Sequence, residues 1–296
     1  MSDTPPTRSR RGAVRTVDRT VEGRGGEIPV RDYLPEEVRA DAVPLVWIHG
    51  GGWMSGGLDQ RESHAVAKAV AGTGRPVRTV DYRLAPALGW RALATRSPLV
   101  LEPSENRYPA APDDVVGAIV DRAVTSGDRL FIGGASAGAN LAVAAAVALR
   151  REAGVRPWGL ALAYGGFHPT LPPLPESVRS RLTGPAGRVA LTPEAYDRMT
   201  LNYIGDERLS PRAFPAGADL AGLPDALVMD ADRDSLRASG GRFASELRAA
   251  GSTVDYTVIG KTLHGFLNHP YGRGFRRGIR TMCQWLDTHD RPAHPV

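Results

Sequence analysis

Cysteine is nearly missing: Cys283 is the only one in 296 residues. That excludes an internal disulfide and any metal site built from several thiolates. Because it falls in a helical apolar pattern, Cys283 is expected to be a buried structural thiol. Lysine is almost as scarce. Lys68 and Lys261 are the only two, so the net charge of +5 rests on arginines scattered along the whole chain. Scattered arginine offers no basic stripe, reads as the codon bias of a GC-rich bacterial genome, and argues against nucleic acid as a partner. No apolar run approaches the ~20 residues of a membrane-spanning helix, so no membrane partner is expected. The start of the chain is polar, and Ser9-Arg10-Arg11 is followed by no apolar segment, against a twin-arginine export signal. A disordered tail over 1–13 and a cytoplasmic protein are the expectations.

Glycine and proline divide the remainder into short runs. Residues 14–33 alternate polar and apolar around Gly23, Gly25 and Gly26, which predicts a hairpin of edge strands. Apolar runs at 44–48, 76–80, 130–132, 159–164 and 226–229 predict strands buried on both faces, with a further strand at 254–259. Helices are predicted over 61–70, from Pro112 onward with Val116, Ile119, Val120 and Ala123 on one face, over 137–150, 193–203 and 235–250, and at the C-terminus. In that last helix Phe275, Ile279, Met282 and Leu286 recur at helical spacing. Such alternation specifies an α/β fold, a mostly parallel central sheet with helices on both faces. Two stretches interrupt it, 87–107 without periodicity and 167–223 rich in proline and glycine; long segments of this kind serve as lids or binding elements. With no linker or repeat, 14–296 reads as one domain carrying both as cap or lid insertions.

The chemistry concentrates at Gly134-Ala-Ser136-Ala-Gly138, between a short apolar run and an alanine-rich helix. A strand-to-helix turn this tight needs glycine on both sides of the serine. It lifts the hydroxyl clear of the sheet and aims the first free N–H groups of the helix at it. A serine hydroxyl becomes a nucleophile when a base, usually a histidine oriented by a buried carboxylate, takes its proton. Of seven histidines, His49, His64 and His168 are unsuited by chain order or loop context. His289 and His294 lie in a terminus expected to fray, and His269 stands five residues past a better candidate. That candidate is His264, directly after the strand ending at Ile259. The carboxylate should follow the strand at 226–229, where Asp230, Asp232 and Asp234 compete and spacing does not choose among them. His49-Gly50-Gly51-Gly52, after an early strand, suits an oxyanion pocket of backbone N–H groups. A phosphate cradle would require the lysine and hydroxyl of a P-loop or a dinucleotide fingerprint, and both are missing.

Six ordered motifs carry a resemblance: His49-Gly-Gly-Gly-Trp53, Asp81-Tyr-Arg-Leu-Ala-Pro86, Tyr108-Pro-Ala-Ala-Pro-Asp-Asp114, Gly134-Ala-Ser-Ala-Gly-Ala-Asn140, Asp234-Ser-Leu-Arg237 and His264-Gly-Phe266. Together they resemble the bacterial hormone-sensitive-lipase-like carboxylesterases of the α/β-hydrolase fold. The resemblance implies a serine esterase acting through an acyl-enzyme on small, short-chain carboxylic esters, without metal or organic cofactor. It implies the triad Ser136, Asp234 and His264, with Asp232 as fallback for the acid. It also implies oxyanion donors at Gly51, Gly52 and Ala137, and a structural His49 holding the glycine loop. The partner implied is a small-molecule ester, with homodimer formation left open.

Four departures stand out. Only a short polar tail precedes Val14 where family members carry a helical cap, so a reduced cap is expected. Ala135 replaces the acidic residue often found before the serine, and Ser235 replaces proline after the acid. The stretch Ala87–Arg107 is largely insertion, and with Trp90 and Leu93 it is expected to cover part of the acyl pocket. A lactonase, an amidase or a biosynthetic tailoring hydrolase could use the same triad. A non-catalytic ligand-binding relative, of the kind plants use as hormone receptors, would have lost a triad member, and none is missing here.

Overall fold

A computed structural model describes residues 12–89, 92, 93, 99, 101, 103–126, 129–152, 155, 157–205 and 213–290. Trp90, His294 and nearly all of the expected 1–13 tail lie outside the described residues.

Eight strands form one sheet: β1 (Val14–Gly23), β2 (Gly26–Pro35), β3 (Leu45–Ile48), β4 (Val77–Val80), β5 (Phe131–Ala135), β6 (Gly159–Ala163), β7 (Ala226–Arg233) and β8 (Val254–Leu263). Their order is β1-β2-β4-β3-β5-β6-β7-β8. The β1–β2 hairpin is antiparallel and meets β4 antiparallel, whereas every pairing from β4 to β8 is parallel.

The central strands read as unbroken apolar runs because both faces are covered. Successive side chains point to opposite sides, so Val46 and Ile48 join one core while Leu45 and Trp47 join the other. Leu160 and Leu162 part from Ala161 and Ala163 in the same way, as do Ala226 and Val228 from Leu227 and Met229. The first core is closed by α2 (Ala110–Ser126), α3 (Ala137–Glu152) and α7 (Arg237–Ala249). The second is closed by α1 (Arg61–Ala71) and α8 (Arg273–Thr288). Between β6 and β7 lie α4 (Glu176–Arg179), α5 (Gly184–Val189) and α6 (Pro193–Ile204). Among the described residues no helix is long and apolar enough to cross a membrane.

Several boundaries differ from the sequence reading. The α2 helix begins at Ala110, before Pro112, and turns Ala111, Val115, Ala118 and Ile119 inward; Val116 and Val120 lie on the flank. Cys283 is half-buried rather than buried, because the inward stripe of α8 runs through Met282 and Leu286 and leaves residue 283 at its border. The end of α8 is anchored rather than frayed. Asp290 takes the buried Arg75 at 2.7 Å, and Trp158 Nε1 donates to the His289 carbonyl at 2.6 Å. Most consequential for the site, β7 and β8 run past their apolar segments, to Arg233 and Leu263, with a register shift between Ala231 and Arg233.

Candidate active site

The carboxyl ends of the parallel strands are where an open α/β sheet places its ligands, and the residues singled out above gather there. Ser136 sits between β5 and α3 with φ +54°. Both neighbouring glycines are required by contact. A Cβ on Gly134 would lie 2.4 Å from the Gly138 backbone, and one on Gly138 would lie 2.2 Å from the Ile48 carbonyl oxygen. The serine N–H is fixed by the Ala163 carbonyl at 2.8 Å.

His264 follows β8, and its Nε2 lies 3.0 Å from Ser136 Oγ. Its Nδ1 lies 2.7 Å from Asp234 Oδ2, while Asp234 Oδ1 accepts the Leu236 N–H at 3.0 Å. The ionised carboxylate can only accept, so Nδ1 carries the proton and Nε2 is left to accept from the serine. Burial opposes the imidazolium, but Asp234, with Glu62 and Asp230, outweighs it and raises the pKa of His264 above its ordinary 6.5.

The extension of β7 separates the three aspartates. Asp230 is still inside the strand, fully buried under α7, and a Cβ on Gly240 would lie 2.3 Å from its Oδ2. Burial pushes its pKa far up. Asp232 accepts the Lys261 N–H at 3.0 Å and so braces the irregular end of β8, where Lys261 itself has φ +62°. Only Asp234, one residue past the strand, contacts the imidazole. Ser235, in place of proline, donates its hydroxyl to the Leu191 carbonyl at 2.6 Å and ties this loop to the segment before α6.

The glycine loop after β3 reverses at Gly51 (φ +114°) and Gly52 (φ +62°). A Cβ on Gly51 would meet the Ser55 carbonyl oxygen at 1.9 Å. Among the described residues no protein acceptor takes the N–H of Gly51 or Gly52, and Ala137, as the first residue of α3, has a free N–H by position. His49 is buried at the loop's root, with Nδ1 2.7 Å from the Gly50 carbonyl and its ring stacked on Tyr82 at 4.3 Å. Burial lowers its pKa to about 4, so the ring is neutral near pH 7. Trp53 stacks on Tyr203 at 4.7 Å and accepts the Ala85 N–H at 2.9 Å, which ties the loop to the segment after β4. There Arg83 forms a bidentate pair with the buried Asp114, joining two of the sequence motifs directly.

Other histidines have structural partners. His168 meets Ser239 Oγ at 2.8 Å and Glu246 at 3.2 Å, and His64 meets the Tyr33 hydroxyl at 3.0 Å. His289 packs on Trp285 at 4.2 Å. Among the described residues no three His, Cys, Asp or Glu side chains converge as metal ligands.

Gly51, Gly52, Ser136, Ala137 and His264 all face one cavity of about 750 Å³. Its apolar wall comes from Leu93, Val189, Leu191, Ala195, Met199 and Leu236. Arg198 of α6 donates to the Ala92 carbonyl and so holds Leu93 beside that helix.

One residue that the sequence reading missed also lines the cavity. Glu62, the second residue of α1, is buried and accepts the Gly50 N–H at 2.7 Å and the Tyr164 hydroxyl at 2.8 Å. In the sequence it is simply an acid in the first turn of a helix, where the helix dipole alone explains it.

The model of a family described as having the α/β-hydrolase fold matches residues 45–95 and 101–268. Carboxylesterase NlhH of Mycobacterium tuberculosis is 34% identical over 268 residues, covering 86% of this chain and 76% of its own. Among solved structures, an esterase of Pyrobaculum calidifontis superposes with a TM-score of 0.76 at 29% identity, covering 93% of this chain and 85% of its own. EstE7, described as a homologue of hormone-sensitive lipase from a metagenome library, gives a TM-score of 0.77 at 25% identity, covering 94% and 87%.

Proposed function

The chain belongs to the α/β-hydrolase fold family, as a hormone-sensitive-lipase-like carboxylic ester hydrolase, and on that premise we propose how its residues divide the reaction. Ser136 is the nucleophile, His264 the base and acid, and Asp234 the carboxylate that orients the base. The N–H groups of Gly51, Gly52 and Ala137 form the oxyanion pocket. What carries this reading is the continuous relay from Asp234 Oδ2 through the imidazole to Ser136 Oγ, at 2.7 and 3.0 Å, opening on the cavity with the free glycine N–H groups.

His264 Nε2 takes the serine proton as Oγ attacks the ester carbonyl carbon, and the oxygen of the tetrahedral intermediate is met by the backbone donors. Collapse breaks the bond to the alcohol, whose oxygen takes the proton back from the imidazolium. Water, deprotonated by the same nitrogen, then attacks the acyl-serine and restores Ser136. Asp234 stabilises the imidazolium in both halves.

By the likeness to carboxylesterases the substrates are small esters with short acyl chains, which a cavity of about 750 Å³ with walls from three segments accommodates with room to spare. The stretch Ala87–Arg107 acts through Leu93 as part of the acyl wall. Truncation in Leu93→Ala should then shift the kcat/KM optimum toward longer chains in a p-nitrophenyl ester series, by about tenfold in the ratio of long to short. An unchanged ratio would count against that role.

Alanine at Gly51 cannot keep the loop where it is, since the added Cβ collides with the Ser55 carbonyl. Gly51→Ala should cost on the order of 10² to 10³ in kcat, the worth of one displaced oxyanion donor. The p-nitrophenyl series on wild type beside Ser136→Ala tests the whole assignment, which fails if the alanine variant still turns over.

A further inference from the structure

Glu62 is a carboxyl group almost without exposure, and no lysine or arginine pairs with it among the described residues. Its four contacts are all donors: the Gly50 N–H at 2.7 Å, Gln60 Nε2 at 3.1 Å, the Tyr164 hydroxyl at 2.8 Å and Asn268 Nδ2 at 2.9 Å. Its own N–H donates to Asn268 Oδ1 at 3.2 Å, so two bonds join the start of α1 to the 3₁₀ turn Phe266–Asn268. A cage of four donors fits the carboxylate and would lose a bond to a protonated acid. Burial raises the pKa of Glu62, and the donors together with His264 oppose that rise.

These partners are the parts of the site that must keep a fixed separation. Gly50 precedes the oxyanion loop by one residue. Asn268 follows His264 by four, and the Tyr164 ring stands edge-on to the imidazole at 5.1 Å. Capping α1 does not require burial, and a buried anion with no cation beside it lowers stability. The cation it lacks arises only when His264 takes a proton.

Resting on the triad assigned above, we infer that Glu62 is a positioning residue that holds the anion pocket and the base as one unit and whose charge favours the imidazolium formed in acyl transfer. The groups facing His264 are Asp234 and Asp230 from the β7 side, Glu62 from α1, and the ring of Tyr164 after β6, whose hydroxyl is bonded to Glu62. Lys261 lies three residues away on its own segment.

The test compares wild type, Glu62→Gln, Asn268→Ala and Ser136→Ala on p-nitrophenyl acetate from about pH 5 to 9. Glutamine preserves the shape and removes the charge. In Glu62→Gln, kcat should fall about tenfold to a hundredfold with KM within about threefold, as for a lost supporting contact. The acid limb of kcat/KM should move down by about half a unit or more, because a neighbouring anion has been removed from a group that it helped protonate. Asn268→Ala breaks the bridge and keeps the charge, so kcat falls while the limb stays. It also serves if Glu62→Gln does not fold. A Glu62→Gln profile that superimposes on wild type, or a loss confined to KM, overturns the inference, as does a wild-type kcat in Asn268→Ala. Turnover by Ser136→Ala would instead overturn the triad itself.

Discussion

Ser136→Ala is expected to lose ester turnover by a factor on the order of 10⁵ while melting within a few degrees of wild type. Both halves follow from the site. Serine and alanine pay the same backbone cost at φ +54°, since each has one Cβ. The N–H bond to the Ala163 carbonyl is a main-chain bond and survives. What disappears is a single side-chain hydrogen bond, to His264 at 3.0 Å, at the floor of an open cavity. Among the described residues Ser136 is the one hydroxyl paired with His264 Nε2, so the residual rate reports the anion pocket and binding. Steady-state turnover on p-nitrophenyl acetate with a thermal melt checks both. A variant retaining more than about one part in a hundred of wild-type kcat would contradict a covalent role for Ser136.

Asp234→Asn should cost on the order of 10⁴ in kcat, again with little loss of fold. The reason is orientation. The Leu236 N–H already occupies Oδ1 at 3.0 Å, so the amide of the variant must leave its oxygen there and turn its NH₂ toward the imidazole. Nδ1 then has to accept, the ring proton moves to Nε2, and that nitrogen can no longer take the proton of Ser136. Asp232→Asn is the matched control. Its partners are the Lys261 N–H at 3.0 Å and the Arg181 guanidinium at 3.8 Å, whereas the imidazole bonds Asp234, so kcat should stay within about tenfold of wild type. A larger loss in Asp232→Asn than in Asp234→Asn would reverse the choice of acid.

As candidates, Ser136 and His264 stand out in the sequence because local punctuation marks them. Glycines two residues either side leave one backbone solution for the serine, and the histidine directly follows a strand whose apolar run is plain. The carboxylate that meets His264 was not legible from spacing, since three aspartates follow one apolar run and hydropathy cannot see where backbone pairing ends. Pairing continues to Arg233, and that extension buries Asp230, engages Asp232 and frees Asp234. The family motif pointed to the same residue from another direction. The short helices α4 and α5 escaped notice because stretches of four and six residues, one of them rich in glycine, carry no periodicity to read. Glu62 escaped for a different reason. Two of its partners, Tyr164 and Asn268, are 102 and 206 residues away along the chain, and no local pattern encodes a contact at that range.

On the proposed assignment, reaction and recognition reside on different pieces of polypeptide. The proton relay is bolted to strand ends, whereas Val189, Leu191, Ala195 and Met199 belong to a detour between β6 and β7. The side chains of those four make no polar bond to the relay. Saturation mutagenesis confined to these four codons should therefore remodel which esters are accepted while sparing the chemical step, giving laboratory evolution a small and well-bounded target.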